Sequence, residues 1–160
     1  MIKIRKGFTL VELLIVIVII GILAAAMLLS SGSATDSAEA SNIISDLRSL
    51  KAAALMHYAD SMDVYTGNSP GQFTMISYLH GYVDNPAKFG TGTRYQVADD
   101  GGKWFVGYNT GNAAGEAGIR RRLAGRAESV GLINTATAAA AAAPVANKYA
   151  EGTDVWMIAR

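Results

Sequence analysis

One carboxylate, Glu12, stands four residues after Phe8 at the head of a run that is otherwise apolar to Leu29. A charge at membrane depth costs about 2.5–3.5 kcal/mol on insertion scales, so a chain that keeps one there has a use for it. Three other groupings hold residue types that carry chemistry. Asp99-Asp100-Gly101 offers two carboxylates, and calcium prefers oxygen ligands. Arg120-Arg121-Arg122 with Arg126 offers cations for phosphates. His57 and His80 are the chain's two histidines. The sequence has no HExxH, P-loop or GxSxG pattern. It also has no cysteine, which excludes a disulfide framework and a thiolate metal site.

Each grouping also has an ordinary reading. Glu12 can snorkel to the interface near a helix start. Aspartates beside glycines are the usual chemistry of a tight turn. A helix spreads residues 120, 121 and 122 over about 200° of its circumference, so the arginines form no single tight patch. A solvated face, or ion pairs with acids of a neighbouring subunit, accounts for them. Neither histidine is expected to bind metal or catalyse. Trp104 and Trp156 fall in predicted strands, where core packing accounts for them.

The element that positions Glu12 is a long apolar helix. Lys3, Arg5 and Lys6 precede it in a short basic leader, Met1 to Gly7. Leu13 to Leu29 is uncharged over 17 residues. From Phe8 to Leu29 the segment is 22 residues, about 33 Å as a helix, against a bilayer core of about 30 Å. The basic leader fits retention on the cytoplasmic side. The competing reading is a signal peptide cut near Ala24-Ala25-Ala26; such cores rarely carry an acid.

The opening resembles that of the type IV pilin family, which includes the pseudopilins of type II secretion and competence systems. The residues that carry the likeness are Lys6-Gly7-Phe8-Thr9-Leu10-Val11-Glu12-Leu13-Leu14 and Ile19-Ile20-Gly21-Ile22-Leu23-Ala24-Ala25. The resemblance implies a prepilin peptidase that cuts between Gly7 and Phe8 and methylates the new Phe8 amine. It implies that Glu12 attracts the Phe8 amine of a neighbouring subunit, relieving an otherwise unpaired carboxylate and setting axial register. An inner-membrane assembly platform and minor pilins are the further partners it implies. Many members carry a proline late in the apolar segment; here that neighbourhood reads Met27-Leu28-Leu29-Ser30. Loosening of this helix would have to use Gly21 or the Ser30-Ser31-Gly32-Ser33 stretch.

Behind the apolar run, Ile43, Ile44, Leu47, Leu50, Ala54, Leu55 and Tyr58 recur at helical spacing. They predict an amphipathic helix over Asp36–Asp60 that needs a sheet to cover its stripe. Tyr65 to Gly71 reads as a turn-rich linker, and Phe73 to Tyr82 as a short helix with Met75, Ile76 and Leu79 inward. Arg94 to Ala98 and Lys103 to Tyr108 flank Asp99-Asp100-Gly101-Gly102, as a hairpin requires. Ala113 to Val130 is helical by spacing, with a favourable Glu116–Arg120 pair. The alanine run Ala136 to Ala143 fits either a helix or an ordered loop, and Asp154 to Ala159 a closing strand.

The expected fold is α+β. A long N-terminal helix, half apolar and half amphipathic, packs on a small antiparallel sheet in the family's lollipop form. Residues 1–7 are the leader, 8–33 the transmembrane or filament-core helix, and 34–160 the amphipathic half and globular domain. Formal net charge is +1, and removing Lys3, Arg5 and Lys6 takes the side-chain sum to −2. That balance does not call for nucleic acid. The expected function is structural, not enzymatic, with no cofactor required: a homo-oligomeric pilus filament for adhesion, motility or DNA uptake. It would be held in the inner membrane as a precursor and then become extracellular. The alternative is a type II secretion pseudopilin in a periplasmic pseudopilus.

Overall fold

The computed structural model describes residues 7–60, 76–90 and 92–160. The leader residues before Gly7, the turn-rich stretch 65–71 and Met75 lie outside the described residues. The first helix, α1, runs unbroken over Leu10–Asp60, 51 residues. The chain divides into two compact units, one ending at Thr35 and the other running from Asp36 to Arg160.

The first unit is the apolar half of α1. Its large side chains are exposed all round: Leu13, Ile15, Val16, Ile17, Ile20 and Leu23 are each about half exposed or more. A helix apolar on every side requires apolar surroundings. Its backbone bonds close internally, so lipid or packed helices can supply them. By length and composition this stretch is able to cross a membrane.

In the second unit, α1 buries one stripe: Ala40, Ile43, Ile44, Leu47, Leu50, Ala53 and Ala54. The i, i+3, i+4, i+7 spacing puts them on one face. Leu55 departs from its predicted inward place and is 43% exposed. Ala54 already fills the inward position, and the next residue on an α-helix turns about 100° away. Ile76–Tyr82 forms a 3-10 helix whose Ile76 and Leu79 reach the core, and Pro86–Phe89 forms a second one.

Four strands form one antiparallel sheet: β1 (Tyr95–Asp100), β2 (Lys103–Asn109), β3 (Leu132–Ile133) and β4 (Asp154–Ile158), in the order β1-β2-β4-β3. The β1–β2 turn is tighter than the sequence predicts, because the strand continues through Asp99 and Asp100. Only Gly101 and Gly102 turn, at φ 61° and 78°. Two successive positive φ values are what a two-residue hairpin matching the strand twist demands.

Side chains alternate across this sheet. Val97, Trp104, Val106, Tyr108, Leu132, Val155 and Met157 join the α1 stripe in the main core. Phe105 and Ile133 point to the other face, with Trp156 and Ile158 beside them. Helix α2 (Ala117–Val130) completes the main core through Ile119, Leu123 and Ala127, and Gly131 caps it. It is preceded by a 3-10 turn at Ala114–Glu116. The second face is covered by the alanine run, which forms a five-residue helix, α3 (Ala138–Ala142), with Ala140 buried.

Candidate assembly site at the helix start

At the start of α1 the side chains of Thr9 and Glu12 hold each other. The Thr9 amide donates to Glu12 Oε2 at 2.8 Å, and the Thr9 hydroxyl donates to the same oxygen at 2.7 Å. In return the Glu12 amide donates to Thr9 Oγ1 at 3.3 Å. Thr9 precedes the first helical residue and Glu12 is the third, so the pair forms a capping box. Amides at a helix start have no intrahelical acceptor, and this arrangement supplies one. The T-x-x-E spacing is legible in the sequence, although reading Glu12 only as a membrane charge passes over it. Both contacts fall on Oε2, and no described residue donates to Oε1. Phe8, at the predicted junction, is 84% exposed.

Gly21 and Gly32 both lie inside the unbroken helix. A Cβ at either would meet nothing within 4 Å, so close packing within the chain requires neither glycine.

The structure gives the other candidate residues architectural partners. Asp99 Oδ1 accepts from the Gly102 amide at 3.1 Å and closes the hairpin turn. Asp100 Oδ2 accepts from the Ala138 amide at 2.6 Å. Together with Thr137, which accepts from the Ala140 amide, it caps α3. Among the described residues no three metal-ligating side chains gather. Arg120 donates to the Gly111 carbonyl at 2.7 Å. Arg126 donates to Ser41 Oγ at 2.7 Å and Ser37 Oγ at 3.2 Å, tying α2 to α1. Arg121 and Arg122 are exposed, while Arg120 and Arg126 are engaged with different parts of the chain. The predicted Glu116–Arg120 pair is absent: Glu116 pairs instead with Arg94. Glu116 ends a 3-10 turn, which rotates it off the face that an α-helical i, i+4 pair needs.

Two anchors give no signal in the sequence. Asp46, only 14% exposed, accepts from the Tyr95 hydroxyl and from Lys88 Nζ at 2.6 Å. It therefore joins α1 to β1 and to the Pro86–Phe89 turn. Burial, together with that carboxylate, pushes the Tyr95 hydroxyl far above the usual phenol range. The guanidinium of Arg160 lies 3.6 Å over the Tyr58 ring, which stands edge-on to Trp104. His57 packs among Tyr78, Tyr82 and Trp104, with ring centroids within 6.0 Å.

Residues 2–28 match the family described as the prokaryotic N-terminal methylation motif. Two proteins named fimbrial protein, both from Pseudomonas aeruginosa, are each 31% identical over 99 residues. The match covers 61% of this chain, and the chain spans 62% of those relatives' length. No solved structure matches. The methylation motif, the apolar helix that opens with Glu12, the α+β fold and the similarity to fimbrial proteins all support the type IV pilin family.

Proposed function

We propose that this chain is the structural subunit of a type IV pilus. In this reading it is made as a precursor held in the inner membrane. It is cut between Gly7 and Phe8, methylated on Phe8, and polymerised into an extracellular filament through the first half of α1. Adhesion, motility or DNA uptake are the services such a filament provides. The observation that carries the reading is the Phe8–Leu28 surface, apolar and exposed on every side in the isolated chain. Burial of such surface stabilises by roughly 25 cal/mol per Å², which makes association the natural outcome. Similarity to fimbrial proteins favours the surface pilus over the periplasmic pseudopilus.

Glu12 supplies register. Oε2 is held by Thr9, which leaves Oε1 to accept from the Phe8 amine of a neighbour. An ammonium against a desolvated carboxylate is favoured over a carboxylate left alone. One surface meeting a different surface on the next copy gives an open helical assembly. Replacing Glu12 with Ala tests this reading. Membrane insertion should persist while filaments disappear; normal filaments from Glu12→Ala would remove the register role.

A further inference from the structure

Gly125 sits in the middle of α2, exposed, with nothing within 4 Å of where a Cβ would stand. Glycine inside a helix is unfavourable relative to alanine. Gly118 on the same helix has a reason inside the chain, because a Cβ there would overlap the Asp36 carboxylate. Gly125 has no such reason. Arg121, four residues earlier, shares its face. It is exposed and pairs with no described residue. This face of α2 thus carries a position without a side chain beside an uncommitted cation.

A complementary surface lies elsewhere in the same unit. A groove of about 420 Å³ runs between the outer face of α1 and the 82–89 segment. Ser49, Ala52, Met56 and Val83 line it, and Met56 is 46% exposed. Its charges are unequal. Lys88 neutralises Asp46, while Asp84 is exposed and pairs with no described residue. The groove therefore offers a half-exposed apolar side chain beside an uncommitted anion.

We propose that these two surfaces meet between copies of this chain: Met56 of one subunit packs over Gly125 of another, where no side chain stands in the way, and Asp84 pairs with Arg121. The contact rests on the filament reading above. It joins unlike surfaces, so it repeats without closing, as a filament requires. Charge complementarity at its rim fixes orientation.

The chain has no cysteine, so introduced thiols report one contact only. Full-length protein carrying both Met56→Cys and Gly125→Cys is expressed in cells that assemble the wild type. Sheared filaments are then run on non-reducing gels. The expected result is a reductant-sensitive ladder of dimers, trimers and higher species, with monomers from each single variant. Filaments whose double variant runs as monomer overturn the contact and leave the groove to another partner. Gly125→Ala supplies the second measurement, since it favours the subunit's own helix. The full chain in detergent should melt higher while filament yield falls severalfold; an unchanged yield overturns the contact. If the wild type forms no filament at all, the filament reading fails and takes this contact with it.

Discussion

Thr9 and Glu12 cap the first turn of α1 reciprocally, with the Thr9 hydroxyl 2.7 Å from Glu12 Oε2. The carboxylate that resembles an assembly group is thus also a local structural group. The cap uses Oε2, and no described residue donates to Oε1.

Thr9→Ala removes the hydroxyl from both directions of this exchange. Losing such a cap costs about 0.5–2 kcal/mol of helix stability. Hydrogen exchange on the full chain in detergent should show faster exchange at the amides of Leu10 to Leu13. Thr9→Ser should restore protection. Equal exchange in all three proteins would deny that the box holds the helix start.

The Asp46 anchor is unequal in its two partners. Tyr95 is half-buried, whereas Lys88 is 45% exposed. Asp46→Ala leaves the Tyr95 hydroxyl without its acceptor and should cost about 1.5–3 kcal/mol. Lys88→Ala removes one exposed ion pair and should cost about 1 kcal/mol or less. Denaturant titration of the detergent-solubilised chain measures both, and the reverse order would contradict the anchor.

Alkaline pH should destabilise the globular unit. Burial raises the Tyr95 hydroxyl first and the Asp46 carboxylate adds to it; burial likewise raises Tyr149. An unfolded tyrosine titrates near pH 10, so above about pH 10 the unfolded chain sheds protons that the folded chain keeps. Stability from these groups is complete below that pH and declines above it. Melting temperature should therefore fall from about pH 10 upward, and less steeply in Tyr95→Phe. A wild type that melts no lower at pH 11 than at pH 8 would contradict the shifts.

Much of the fold is legible because periodic patterns are long. The α1 stripe, the β1–β2 hairpin, α2 and β4 each carry enough repeats to declare their type. β3 is only Leu132 and Ile133, too short for any period to show. The alanine run is ambiguous locally, since its fate depends on Asp100 from another part of the chain capping α3 and on Phe105 needing cover. Asp46 reads as an outward acid on the helical pattern, and only the tertiary approach of Tyr95 and Lys88 makes it an anchor. At the candidate site the residues Gly7, Phe8 and Glu12 are legible from type and spacing. The Thr9 cap is legible too, as a local pattern. The neighbour that Oε1 would meet belongs to another molecule and leaves no mark in one chain.

The most direct test is the intact mass of this protein in filaments sheared from whole cells. The expected mass is that of a chain that begins at Phe8, lacks Met1 to Gly7 and carries one added methyl group. The same processed mass confined to the cell envelope would contradict the surface pilus. An uncut chain, or one cut near Ala26, would contradict the prepilin account altogether.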